Sequence, residues 1–233
     1  MNDFLRSRSL SLSMVVLVLI FTVILQAGIS YTLTFGKLDV FITPVSRDLV
    51  VRGWLGLRIA LMVMIMVLWT FKRMASLFKA IIVTNGVLTL GLLTSTVAVA
   101  STLGTVSSKS AAALLTDVVA LAVSNILIFS IWYWIIDPPG IHEVQRLDEP
   151  WDFLFPQRGG SLPNYEDWMP RYTDYLYLAF TTTLAFSPTD TLPLTRRAKL
   201  LMLLQASISV VTIMVIASSA IGTLAGSASG GGS

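Results

Sequence analysis

Residues 111–136 read AAALLTDVVALAVSNILIFSIWYWII and run straight into Asp137-Pro138-Pro139-Gly140. Asp117 is the one charged residue in the run. At the helical rise the run reaches about 39 Å, more than the roughly 30 Å of a bilayer's hydrocarbon core. A helix in water keeps a charged face along its length, and one charge in 26 residues does not make one. Trp132, Tyr133 and Trp134 stand at its end, where aromatic rings favour the boundary between lipid and water. The two prolines then forbid continuation. The stretch predicts a membrane-spanning helix.

Outward from it, apolar runs at Ser13–Phe35, Trp54–Phe71, Ala80–Leu103 and Leu200–Gly222 read the same way. Trp54 and Trp69 bracket the second run about 22 Å apart at helical rise, a sensible separation for two interfacial anchors. Arg6 and Arg8 precede the first run in the manner of a secretory signal. The apolar stretch continues past any cleavage site to Phe35, so a retained first span is expected. Ser227–Ser233 is a Gly/Ser tract that resembles an appended linker, and it takes no part in the expected fold. The fold class predicted is all-α: a polytopic membrane helical bundle of about five transmembrane helices plus one short re-entrant, pore-type helix. It divides into an N-terminal three-helix membrane region (1–110), a pore-module-like region (111–226) and the tail (227–233).

Composition agrees. Of 233 residues, 55% are hydrophobic and 12% charged, about half the charge of a soluble domain. The net charge of +3 is too small and too scattered to point to nucleic acid. Basic residues beside apolar runs suit anionic lipid head groups, so the lipid bilayer is the expected partner. The chain has no cysteine, which excludes disulfides and thiolate sites. His142 is the single histidine and is expected to be solvated, and no group of His, Asp and Glu has metal-ligand spacing. With no glycine-rich phosphate loop or nucleophile elbow either, no catalytic residue, metal or cofactor is expected, and the chain does not read as an enzyme.

Between Asp137 and Thr173 lies the one long polar region, acidic and interleaved with Trp151, Phe153, Phe155, Tyr165 and Trp168. That mixture predicts a segment lying on the membrane interface. No internal repeat is evident, which gives an inverted-repeat transporter no support. Next, Tyr175–Phe186 is apolar or hydroxylated, follows the capping pair Thr173-Asp174, and stops at Ser187-Pro188. Twelve helical residues reach about 18 Å, too short to cross. Pro188, Asp190 and Pro193 then enforce an irregular stretch before a helix near Thr195. Two readings stand: a re-entrant helix, or one poorly hydrophobic span over 172–192. Segment length favours the first.

Tyr175-Leu-Tyr-Leu-Ala-Phe-Thr-Thr-Thr-Leu-Ala-Phe-Ser187, with Asp190, Pro193 and a terminal span, resembles the pore-loop module of potassium-channel-like proteins. It also resembles the signature segment of an uncharacterised bacterial integral-membrane family. The resemblance implies an outer helix at Ala111–Ile136, a pore helix at Tyr175–Thr182 and an inner helix at Leu200–Gly222. The filter-like residues it implies are Thr182, Thr183, Leu184, Ala185, Phe186, Ser187 and Asp190. Ala185 and Ser187 stand where a potassium filter has glycines, whose backbone freedom lets stacked carbonyls all point inward. In a tetramer, hydroxyls of Thr182, Thr183 and Ser187 would form a wider, less selective ring.

Two charges fall inside apolar runs. Asp117 shares a helix face with Ser124 and Asn125. Arg58 sits about one turn inside its run, and the two enter from the same side at similar depth. They read as an ion or proton pathway, or more simply as a structural ion pair with Arg58 snorkelling. Ser218, Gly222 and Gly226 form a small-residue row suited to close helix contact, or a chance row in a C-terminus rich in small residues. Lys72, Arg73 and Lys79 form the densest short basic loop and are expected in the cytoplasm. Counting spans puts the acidic region on that same side, whereas a conventional pore loop has it outside. The expected function is a weakly selective, homo-oligomeric cation channel in a cell membrane, with monovalent cations as the permeant species. The alternatives are a proton-coupled carrier using Asp117 and a non-conducting scaffold subunit.

Overall fold

A computed structural model describes residues 9–29, 44–101, 111–137, 151–159, 163, 165, 168–185 and 190–230, with side-chain surroundings as far as Ser218. Within them lie six α-helices: α1 Ser9–Gly28, α2 Pro44–Thr70, α3 Met74–Ser101, α4 Ala111–Ile136, α5 Tyr172–Ala185 and α6 Arg196–Gly230. Phe153–Leu154 (β1) and Leu192–Pro193 (β2) pair antiparallel, and a 3-10 turn covers Pro156–Gly159. Stretches of α2, α3, α4 and α6 are long and apolar enough to cross a membrane. The described apolar part of α1, Leu12–Gly28, is shorter. The rest of the expected first span, to Phe35, lies outside the described residues.

The helices differ from the expected runs at their ends. Pro44 begins α2 ten residues before Trp54, as proline at a first helical position allows. Arg58 therefore lies about 21 Å from the helix start, well beyond the first turn. At the other end of the chain, α6 continues through Gly222 and Gly226 to Gly230, into the tract expected to lie outside the fold.

α4 is the centre of the bundle, packing against α1, α3, α5 and α6, while α2 leans mainly on α3. The 1–110 and 111–226 regions thus share one core. α3 and α4 run antiparallel: Phe78 meets Trp134 at 5.9 Å and Asn85 meets Ile128 further along. The turn from α2 to α3 is tight, with Lys72 in the left-handed region (φ 51°). Arg73 N–H there donates back to Leu68 O at 3.1 Å, which satisfies a carbonyl left over at the helix end. The basic turn lies at the end of the bundle where α4 finishes. Residues 151–158 dock at that same end, through Asp137.

Apolar side chains cover the outside as well as the core, and polar ones lie among the core. Leu17, Phe21, Ile59, Val63, Val97, Leu200 and Leu203 are exposed, whereas Thr84, Asn85, Ser124, Asn125, Gln205 and Ser209 are buried. In lipid an apolar exterior needs no water, and buried polar groups bind helices to one another.

α5 spans 14 residues, about 21 Å. It starts at Tyr172, so Asp174 falls in its first turn and not before it. From there the Asp174 carboxylate accepts the Arg171 N–H at 2.6 Å, one half of a capping box. Burial pushes that carboxyl up, and the N–H and charge of Arg171 pull it down. Both flanks of α5 return to one place. Tyr175 OH donates to Asp137 beside the end of α4. After α5, β2 pairs with β1, and Leu194 N–H donates to Asp152 O at 2.9 Å. Arg197 reaches Ile136 O at 3.2 Å. α5 dips into the bundle and the chain comes back where it entered.

That geometry has a direct check. Tyr165 and Leu194 flank α5 and are each 44% exposed. Single Tyr165→Cys and Leu194→Cys variants, in a background free of cysteine, should react with an impermeant thiol reagent from the same face of sealed vesicles. A helix that crossed would put them on opposite faces.

Candidate functional site

Directly after the last turn of α4 stands a carboxylate, Asp137, where the helix's own carbonyls already concentrate negative charge. Asp137 is fully buried and needs compensation. Oδ2 pairs with Arg158 Nη2 at 2.9 Å and accepts the Tyr175 hydroxyl at 2.6 Å. Oδ1 accepts Arg158 Nη1 at 3.1 Å and the backbone N–H groups of Asp152 and Phe153 at 3.0 and 3.2 Å. Arg158 also donates to Phe153 O at 2.8 Å and lies 5.1 Å from the Trp151 ring centroid and 5.6 Å from that of Phe155. Around this pair the Tyr133 ring meets Phe153, and the Phe155 ring meets both Trp168 and Tyr175. Residues 151–158 and Trp168 are therefore docked onto the end of the bundle.

Asp152, also fully buried, makes the second attachment. Arg197 grips it through both carboxylate oxygens, at 2.7 and 2.6 Å, and the Thr195 hydroxyl donates to Oδ1. Thr195 in turn caps α6 by accepting Ala198 N–H at 3.3 Å. One short segment, 151–158, thus fixes the end of α4, the start of α5 and the start of α6.

Deeper in, Gln205 of α6 is fully buried and ties three helices. Its amide N–H groups donate to Ala179 O and Thr183 Oγ1 of α5, both at 2.8 Å. Its oxygen accepts the Tyr133 hydroxyl of α4. Asn125 reaches α6 at Gln205 O (3.3 Å) and Ser209 Oγ (3.0 Å).

The residues expected to form a filter divide. Thr182 is buried and donates to Leu178 O, and Thr183 is held by Gln205. Leu184 and Ala185 are exposed. Thr183, Leu184 and Ala185 belong to the last turn of α5, so they are helical and not the extended strand a carbonyl filter needs. Phe186 and Ser187 lie outside the described residues, and Asp190 is exposed.

Arg58 does not reach Asp117. Its guanidinium donates to Gln26 Oε1 at 3.1 Å and lies 5.4 Å from the Trp54 ring centroid, and Gln26 donates to Leu88 O. Gly91 makes the room, since a Cβ there would come within 2.9 Å of Arg58 Nη2. A neutral amide from α1 was available to hold the cation. Asp117 is buried near the start of α4. Ser218 donates to Val215 O, while the surroundings of Gly222 and Gly226 lie outside the described residues.

Sequence reasoning treated Asp137 only as part of a helix stop, and it missed Asp152, Arg158, Arg197 and Gln205. A lone glutamine in an otherwise apolar run was a usable signal for the last. The partners of the others come from segments far apart in the chain. Removing one member of a buried pair leaves an unmatched charge, so Asp137→Ala should lower stability by about 3–5 kcal/mol. Asp190→Ala, at an exposed site, should stay within about 0.5 kcal/mol of the parent. Denaturant unfolding in micelles compares the two.

No family model, curated protein or solved structure matches the chain, and the roles of these residues rest on their own geometry.

Proposed function

We propose that this chain is one subunit of a homo-oligomeric membrane protein of pore-loop type that passes monovalent cations, with weak selectivity, across a cell membrane. The placement of α5 carries the proposal. It is a half-length helix held between α4 and α6, it enters and leaves at one end of the bundle, and its last turn reaches the depth of Gln205. The final carbonyls of a helix carry about half a negative elementary charge, which favours a cation at that depth over an anion. Leu184 and Ala185 in that turn face out of the protomer, so copies arranged about an axis would bring these turns together. Asp190, exposed beside β2, lies at the same end and would help gather cations at the mouth. The basic turn at Lys72 and Arg73 shares that end, so by the positive-inside rule the mouth opens to the cytoplasm.

A non-conducting scaffold subunit is the second reading, and one observation favours it. The Thr182 and Thr183 hydroxyls are engaged inside the protomer, and residues 183–185 are helical, which leaves neither those hydroxyls nor a stack of extended-strand carbonyls to line a filter there.

Purified protein in liposomes separates the two. A conducting oligomer should pass potassium or sodium above the level of empty liposomes. Ala185→Cys, once modified by a cationic thiol reagent, should lose most of that flux. Val97→Cys, on the exposed outside of α3, should keep it after the same treatment. Oligomers that pass no cation would leave the scaffold, and flux untouched by modification at 185 would remove α5 from the path.

A further inference from the structure

A charge buried in a membrane bundle is costly unless something opposes it. Asp137 has Arg158, and Asp152 has Arg197. Arg58 is 6% exposed and has no carboxylate partner among the described residues. Its guanidinium donates to Gln26 Oε1, which carries no charge, and its Nε–H has no partner. A whole positive charge is answered there by a dipole.

The same corner holds a second stranded donor. Trp54 precedes Arg58 by four residues, so both lie on one face of α2. The guanidinium carbon stands 5.4 Å from the indole ring centroid. The indole Nε1–H is buried and without a partner. Helices α1 and α3 close the corner: a Cβ on Gly91 would lie 2.9 Å from Arg58 Nη2, 3.1 Å from Gln26 Oε1 and 3.6 Å from Trp54 Cζ2. Guanidinium, amide and indole therefore meet at one point. Gln26 Oε1, the one side-chain acceptor of the three, is already taken by Arg58, and the Gln26 amide N–H donates away to Leu88 O.

What is left over is N–H and positive charge. A guanidinium holds anions by charge-assisted hydrogen bonds, and an indole N–H stands at the positive edge of its ring. Charge sets the valence. A monovalent anion neutralises Arg58, whereas a divalent one would leave a buried negative charge in its place. Packing at Gly91 sets the size, since even one added carbon would crowd the arginine. We propose that Arg58, with Trp54 beside it, binds a chloride-sized monovalent anion inside the bundle. Arg58 lies about 18 Å from the last residue of α2, in the half of the bundle away from the α5 mouth. The site does not depend on conduction.

Melting of the purified protein in neutral detergent tests it, with sodium chloride titrated against sodium gluconate, a bulky organic anion, at constant ionic strength. Chloride should raise the melting temperature saturably, as a ligand of the folded state does. Trp54→Phe keeps a ring beside the guanidinium and removes the N–H. It should raise the half-saturating chloride concentration about tenfold, the loss of one good hydrogen bond. Arg58→Gln removes the charge and should abolish the response. Identical melting of the parent in the two salts would overturn the proposal, leaving Arg58 to its neutral neighbours alone. So would a chloride response that either variant leaves unchanged.

Discussion

A carboxylate at the C-terminal end of a helix sits where the backbone already presents unpaired carbonyls, and burial removes the water that would offset it. Asp137 is in that position. It is tolerated because Arg158, Tyr175 and two backbone N–H groups converge on it. Breaking such a pair is far more damaging than never having had it, since the survivor is a buried charge. The consequence is topological. Residues 151–158 must stay against the end of α4, and Tyr175 must bring the start of α5 there too. Asp152, held by the same docking, then receives Arg197 and Thr195 and sets where α6 begins. Tyr172 with Ser130, before most of α5, and Arg197 with Ile136 O, after it, support the same arrangement.

Below the anchor the bundle is held by neutral polar groups. Gln205 ties α5 and α4 to α6, Asn125 ties α4 to α6, and Asn85 ties α3 to α4. Helices that meet lipid all round gain little from hiding apolar side chains from each other, so specific packing and hydrogen bonds select the arrangement. The same logic explains Arg58. A guanidinium deep in a helix needs an acceptor, and the Gln26 amide supplies one across the α1–α2 contact without a second charge. Gly91 leaves the space in which they meet.

The spans were legible because hydrophobic length is a local property. Nothing but a run of about 20 apolar residues is needed to read a crossing, and Ala111–Ile136 is read to the residue. Helix ends in polar surroundings were less legible. Pro44 starts α2 earlier than the apolar boundary suggested, because a helix can continue into water once its hydrogen bonds are propagating. The half-length of α5 was readable from Ser187-Pro188 and the shortage of residues. That Thr183, Leu184 and Ala185 would complete its last turn was not, since the resemblance that assigned them to a filter carries no backbone geometry.

By itself, then, the sequence determined that the chain is a membrane bundle with one helix too short to cross, through runs of apolar residues and the prolines that end them. Counting crossings also put the basic turn at the end of the bundle where residues 151–158 dock. Only the tertiary structure decided the partners: Asp137 with Arg158, Asp152 with Arg197, Arg58 with Gln26 in place of Asp117, and Gln205 with Thr183. The residues of each pair lie 21 to 45 positions apart, and the choice among the available donors and acceptors is made by which helix faces meet. That depends on the packing of every helix at once.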